Sequence, residues 1–217
     1  MVLRLHNFFR NSAGHRVRIA LALKDLDYEY VSVNIGPAGE QKSEAYLKLN
    51  PQGLVPALEH DGAVITQSTA IIEYLEEVFP DPSLFPSDPV ARAQARAFAA
   101  AIASEMHALN NSGVHRYLAS EMEIDEKKRA QWYAHWAAKG FGALEQLLAA
   151  RPETPFCFGD RPTVADIFLV PQHLNYRRFK IDLAPYARIN RIVSRCEALP
   201  PFQAAAPEAQ PDHVEGF

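Results

Sequence analysis

The chain has 217 residues, 48% hydrophobic and 22% charged, with 22 Lys and Arg against 26 Asp and Glu for a net charge of -4. This is globular composition for one large domain or two small ones, and it excludes disordered, collagenous and low-complexity chains. A mildly acidic chain without a Lys/Arg block lacks the electrostatic footprint of a nucleic-acid binder. Cys157 and Cys196 cannot build a disulfide framework and sit in no CxxC or zinc-ligand spacing, which points to a reducing compartment. Arg4 and His6 interrupt Val2, Leu3 and Leu5 too early for a signal peptide, and no apolar run reaches the ~18 residues that span a bilayer. The expectation is a soluble, cytoplasmic protein.

In chain order, residues 1–6 read as a strand and residues 14–24 as a helix, with Val17, Ala20, Leu21 and Leu23 on its apolar face. Residues 28–33 are a second strand and 43–49 a weaker helix. Residues 54–60 and 63–66 form a hairpin around Asp61-Gly62. Residues 68–79 are a helix with Ser68 as N-cap and Ile71, Ile72, Leu75 and Val78 facing inward. The order β-α-β-α-β-β-α, with one long right-handed crossover and one hairpin, predicts a mixed sheet of thioredoxin-like type.

Prolines at 80, 82, 86 and 89 make a stiff linker. The predicted division is an α/β domain over 1–79, a linker over 80–89 and an all-α domain over 90–217. Helices are expected at 90–119, 124–150, 163–179 and 186–199, with Trp132, Trp136, Leu144 and Leu147 available to the second core. Thr163-Val-Ala-Asp166 is a capping-box-like start, and residues 207–217 read as a loosely held tail.

Three short segments carry candidate chemistry. Arg10-Asn-Ser-Ala-Gly-His-Arg16 joins the first strand to the first helix, where open α/β sheets place ligands. Asn11 or Ser12 can cap that helix, and Arg10 and Arg16 taken alone read as solvated charges. In Asn50-Pro-Gln-Gly-Leu-Val55-Pro56, the proline cannot donate to a ladder, which leaves the Val55 N–H and C=O for an extended peptide ligand. A cis bond at Val55–Pro56 would turn those groups outward, but the sequence alone does not indicate one. Gln67-Ser68 opens a helix whose amides suit a carboxylate. His107, Asn110 and Asn111 near Ser112-Gly113 cost helix propensity, which suggests a bend or a cleft wall. The eight histidines form no HExxH or comparable set, so no metal is assigned.

These pieces, in this order, resemble a cytosolic glutathione transferase over essentially the whole chain. Arg16-Val-Arg-Ile-Ala-Leu-Ala-Leu-Lys24, Gln67-Ser-Thr-Ala-Ile-Ile-Glu-Tyr-Leu-Glu76, Leu169-Val-Pro-Gln172 and Arg178-Phe-Lys-Ile-Asp-Leu183 are similar to segments of the zeta class, the maleylacetoacetate and maleylpyruvate isomerases. One departure stands out: the first serine of the family's Ser-Ser-Cys loop aligns with Asn11 and the cysteine with Ala13.

The resemblance implies that glutathione is the cofactor. It would lie along Val55 as an added strand, with its γ-glutamyl carboxylate on Ser68 and the helix amides, assisted by Gln67, while Gln41 aligns with a glutathione-contacting Gln of the family. The thiol would lie near Asn11 or Ser12, either of which can be its donor. The implied reaction is thiolate addition to a cis double bond of a small diketo acid, rotation and elimination. Arg10 flanks the thiol loop, and Arg178, Asn110 and His107 belong to the substrate side; without the resemblance, Arg178 reads as a surface charge at a helix end. Where some relatives carry arginines after the Asn pair, this chain has Ser112 and Gly113, with Arg116 nearby. A homodimer is the family's usual assembly. The alternatives are a conjugating transferase or peroxidase using the same thiolate, and a binding protein without turnover.

Overall fold

The structure, a computed structural model, describes residues 2–36 and 39–215. The first residue expected in the opening strand and the last two of the tail lie outside the described residues. The chain divides into two compact units, Met1–Leu84 with Glu197–Phe217, and Phe85–Cys196.

The first unit holds β1 (Leu3–Asn7), α1 (Ser12–Leu23), β2 (Glu29–Ser32), a 3-10 turn (Glu40–Lys42), α2 (Glu44–Leu49), β3 (Ala57–His60), β4 (Ala63–Thr66) and α3 (Ser68–Val78). The sheet order is β2-β1-β3-β4, with β1 parallel to β2 and antiparallel to β3. Leu5 pairs with Tyr30 on one side and Leu58 on the other. Period-2 alternation buries Leu3, Leu5 and Asn7 on one face of β1. The other face carries Arg4, whose Nε lies 2.8 Å from Glu29 Oε2, and His6, which bonds Glu59. Residues 54–56 precede the ladder rather than joining it, and Val78 at the end of α3 is exposed. The single apolar face expected of α1 is also too narrow: Ser12 and every residue from Gly14 to Leu21 are buried, Arg16 and Arg18 included.

The proline segment is fastened to this unit by a buried cation. Lys24 Nζ donates to Phe79 O (2.6 Å) and Pro82 O (2.9 Å) and pairs with Glu76 Oε2 at 2.8 Å. Glu76 also accepts from the Leu84 N–H at 2.9 Å and from Ser83 Oγ. Burial pushes the Glu76 carboxyl up, but the Leu84 N–H, Lys24 and Ser83 together outweigh it and hold the group below its ordinary value. A depressed carboxylate contributes stability above its unfolded pKa and loses it as pH falls through the folded one. Glu76→Gln is therefore expected to cost about 1–2 kcal/mol at pH 7, a cost that shrinks as pH falls through the depressed folded pKa. Urea denaturation across the acid range checks this, since wild type must lose stability more steeply than the variant below ~pH 4.3.

The second unit is helical. α4 (Pro89–Ala100) runs into a π-helical segment (Ala101–His107) and α5 (Ala108–Asn110), followed by α6 (Ser112–Ser120), α7 (Glu126–Ala149), α8 (Val164–Arg178) and α9 (Ala187–Glu197). The single helix expected over 90–119 is thus broken at Asn111, which is extended (φ -73°, ψ 161°) and caps α6 by accepting from the Val114 N–H at 3.0 Å. The α7 core stripe is Tyr133, Ala137, Phe141, Leu144 and Leu148; Leu147 is exposed and Trp132 and Trp136 are only half-buried, one position out of phase. Asp166 accepts from the Thr163 N–H (2.8 Å) and the Cys157 N–H (2.9 Å), closing the capping box at the start of α8.

Beyond α9, α10 (Pro200–Ala205) and a 3-10 turn (Pro207–Ala209) return to the first unit, packing on α1. The segment expected to be a loose tail is tied down: Gln210 Nε2 donates to Ala204 O and Ala206 O, and Asp212 accepts from Tyr30 Oη at 2.7 Å. Its polar composition conceals this because the Asp212 bond reaches a residue 182 positions away. No helix among the described residues is long and apolar enough to cross a membrane.

Candidate active site

The elbow between β1 and α1 is built from hydrogen bonds to its own backbone. The Asn11 N–H donates to Phe8 O (2.9 Å), and Asn11 caps α1 by accepting from the Gly14 N–H on Oδ1 at 2.6 Å. That donor fixes which end of the carboxamide is oxygen, so the Asn11 Nδ2 group is turned away from the helix as a donor. Ser12 is the first helical residue and is buried; Arg10 is exposed. Beneath this turn lies Asn7, fully buried, with neither Nδ2 nor Oδ1 hydrogen-bonded among the described residues. A Cβ on Gly14 would lie 1.6 Å from Asn7 Oδ1, so only glycine lets the first turn of α1 settle on that side chain.

The loop before β3 is equally determined. Leu54 O accepts from both Tyr46 Oη and Asn50 Nδ2, each at 2.7 Å. Gly53 has φ +61°, and its Cα faces Gln41 O closely enough that a Cβ would approach to 3.0 Å. The Val55–Pro56 bond is cis, which the sequence alone did not indicate. No hydrogen bond within the described residues engages the Val55 N–H or C=O. Gln41, in the 3-10 turn, is buried, and its Oε1 has no partner among the described residues.

At the third corner, Gln67 (φ +69°) is the N-cap of α3 and Ser68, expected as the cap, is instead the first helical residue, so the cap falls one residue earlier than the sequence suggested. Gln67 Nε2 donates to Gln52 Oε1 at 2.8 Å. Ser68 Oγ accepts from Arg16 Nη1 at 3.3 Å. Arginine only donates, so the Ser68 hydroxyl proton remains available to another acceptor. Arg16 is not the solvated charge its sequence context implied. It is 1% exposed, and burial pulls its guanidinium down to about 9, still cationic at neutral pH. Its position one turn beyond Ser12 links the beginning of α1 to the beginning of α3.

A backbone strip at Val55, an orphaned acceptor at Gln41 and two helix N-termini, one backed by a buried cation, suit a short anionic peptide. A family model described as the glutathione S-transferase N-terminal domain matches residues 12–78, and one for the C-terminal domain matches residues 130–199. The chain is similar to a maleylacetoacetate isomerase of Pseudomonas aeruginosa, 45% identical with 97% of this chain and 98% of that one covered. The chain belongs to the glutathione S-transferase family, in its zeta class. Among solved structures, it is similar to the holo form of a bacterial maleylpyruvate isomerase described as zeta class (TM-score 0.94, 44% identity, 97% of this chain and 100% of that one). It is also similar to a maleylacetoacetate isomerase of Anaeromyxobacter dehalogenans with glutathione in its active site (TM-score 0.87, 41% identity, 98% of each chain).

In this glutathione S-transferase the expected residues Asn11, Ser12, Gln41, Val55, Gln67 and Ser68 all lie in the first unit, as does the exposed Arg10. Sequence reasoning missed Asn7, Gln52 and the burial of Arg16. The signal available for Arg16 was its one-turn spacing from Ser12 on a helix whose neighbours Val17, Ala20 and Leu21 are all apolar. The second unit holds the remaining expected residues. Asn110 is buried, donates through Nδ2 to Tyr133 O at 3.2 Å, and has an Oδ1 without a partner among the described residues. Tyr133 stacks on Phe179 at 4.1 Å, next in sequence to Arg178, which ends α8 half-buried. Asn110 and Phe179 thus meet at Tyr133, and Arg178 immediately precedes Phe179 in the chain; His107, at the end of the π-helical segment, is half-buried.

Proposed function

We propose that this protein is an enzyme catalysing the glutathione-dependent cis–trans isomerisation of a small diketo acid of the maleylpyruvate or maleylacetoacetate type. The observation that carries the reading is the Val55 backbone, unengaged among the described residues, in the same unit as the unpartnered Gln41 Oε1 and the Ser68 hydroxyl. Bound glutathione supplies a thiolate that adds to the conjugated cis double bond, permits rotation about the resulting single bond, and is eliminated with the trans product.

The chain's own residues hold and ionise that cofactor. Val55 pairs with its backbone, Gln41 accepts one of its N–H groups, and Ser68 with the first amides of α3 takes its γ-glutamyl carboxylate, Gln67 assisting. A free thiol has a pKa near ~8.5, so ionising it at neutral pH by lowering the pKa ~2 units requires about 2.7 kcal/mol of preferential stabilisation. Asn11 Nδ2, Ser12 Oγ and the first amides of α1 can supply that as charge-assisted hydrogen bonds. Asn11 is the donor we assign, because its oxygen is already committed to Gly14.

On the substrate side, Arg178 receives a carboxylate and stabilises negative charge developing on the substrate, with Asn110 and His107 as polar neighbours and Arg10 guarding the thiol loop. Arg178→Ala is expected to raise KM for the diketo acid about tenfold or more, with glutathione affinity unchanged. Steady-state kinetics beside glutathione titration checks this, and a parallel loss of both would remove Arg178 from its role.

The reading extends to a homodimer in the cytoplasm; two buried cysteines, neither in a disulfide, fit a reducing compartment. The deciding experiment incubates the protein with glutathione and maleylpyruvate or maleylacetoacetate. Formation of the trans acid with full recovery of glutathione is the expected result. A stable conjugate would make the protein a conjugating transferase, and binding without turnover a binding protein.

A further inference from the structure

Both backbone groups of Phe9, two residues before the α1 cap, are held by side chains. The Phe9 N–H donates to Asp212 Oδ2 at 3.2 Å, and Phe9 O accepts from Arg18 Nη2 at 3.0 Å. Arg18 in turn donates through Nε to Ala205 O at 2.9 Å. Asp212 is itself fixed: Tyr30 Oη donates to Oδ1 at 2.7 Å and Ser32 Oγ to Oδ2 at 2.9 Å. The neighbouring His213 ring meets the Phe9 ring edge-on at 5.3 Å. Burial and the adjacent Asp212 keep the Tyr30 hydroxyl protonated, hence a donor. One carboxylate therefore ties the C-terminal segment, the end of β2 and the elbow of the reactive helix together.

We propose that Asp212 is a positioning residue for the glutathione thiol site, setting the placement of Phe9–Asn11 and through it the direction of the Asn11 and helix amide donors. The inference rests on the glutathione reading above. The geometry separates this role from simple anchoring, because only one of the three bonds at Asp212 reaches the elbow. Tyr30 and Ser32 belong to β2, so a variant there loosens the anchor and leaves the Phe9 bond in place.

The test compares Asp212→Asn with Tyr30→Phe in the full chain, by ultraviolet titration of the bound thiolate, kcat and glutathione affinity. Asp212→Asn is expected to raise the bound thiol pKa by about half a unit to one unit and lower kcat about three- to tenfold at neutral pH, a factor of ten per unit, with affinity within about twofold. Tyr30→Phe is expected to lower the melting temperature and leave the thiol pKa in place. An unchanged thiol pKa in Asp212→Asn, or an equal shift in both variants, overturns the proposal. Hydrogen exchange on the wild-type protein tests it without any variant: the Phe9 amide should exchange as slowly as amides within β1, and exchange at exposed-loop rates overturns it. A wild-type protein that binds no glutathione removes the underlying reading as well, whereas a normal wild-type titration with an unshifted variant removes only the role of Asp212.

Discussion

Replacing Asp166 with alanine is expected to cost about 2–4 kcal/mol, since each buried donor left unpaired costs about 1–3 kcal/mol and the lost burial of a charge offsets part of the sum. The carboxylate is wholly buried and accepts from the Cys157 N–H, the Thr163 N–H and Thr163 Oγ1. Cys157 and Thr163 are themselves buried, so no solvent replaces the lost acceptor. Burial pushes the Asp166 carboxyl up, while the hydrogen bonds from Cys157 and Thr163 pull it back. For a chain of this length, the loss corresponds to a fall in melting temperature of roughly 5–15 °C. Two buried thiols report the same event. Burial pushes the Cys157 thiol well up, and Cys196 Sγ lies 4.0 Å from Asp166 Oδ1, so both resist thiol reagents in the folded state. Thermal denaturation and thiol-labelling rates check the prediction together. Wild-type stability with unchanged labelling in Asp166→Ala would show that the start of α8 does not depend on this carboxylate.

Local patterns in the sequence carried much of the architecture. The Asp61-Gly62 hairpin, the crossover between the first two strands and the box at Thr163–Asp166 are each written within a few residues, and each has its counterpart in the structure. The glutathione S-transferase family was legible for the same reason, since its motifs are short segments at helix starts and before a proline. What stayed hidden depends on partners distant in sequence. Arg16 looks solvated until α3 places Ser68 against it. The helix over residues 90–119 looks continuous until Asn111 caps a new one. Asn7 looks like any strand residue until Gly14 lands on it. Residues 207–215 look loose because a count of polar side chains says nothing of Tyr30 and Ser32. Periodicity also misplaced the α7 stripe by one residue, since aromatic size drew attention to Trp132 and Trp136 and away from Tyr133, Ala137 and Phe141.

The substitution that makes Asn11 the family's unusual residue yields the sharpest functional expectation. Asn11 would do two things at once: Oδ1 caps α1 at the Gly14 N–H, and in the proposed complex Nδ2 is the donor to the thiol. Asn11→Ala removes both. Asn11→Asp keeps an acceptor for Gly14 and suits the helix N-terminus, but it replaces the donor with a negative charge beside the thiolate. The cap and the donor therefore separate. Helix stability should fall by about 1 kcal/mol in Asn11→Ala and hold or rise in Asn11→Asp. The bound thiol pKa should rise by about one unit in the first and about two in the second, each unit being about 1.4 kcal/mol of lost discrimination between thiolate and thiol. Since the thiolate is the reacting form, kcat at neutral pH should fall roughly tenfold and up to a hundredfold respectively, and recover as pH is raised. Ultraviolet titration of the glutathione complex, run beside Ser12→Ala, decides the assignment. If Ser12→Ala moves the thiol pKa and neither Asn11 variant does, Ser12 is the donor and Asn11 only a cap. If the Asn11 variants move it in the order given, the amide has taken over the hydroxyl's task by committing its oxygen to the helix and its nitrogen to the sulfur.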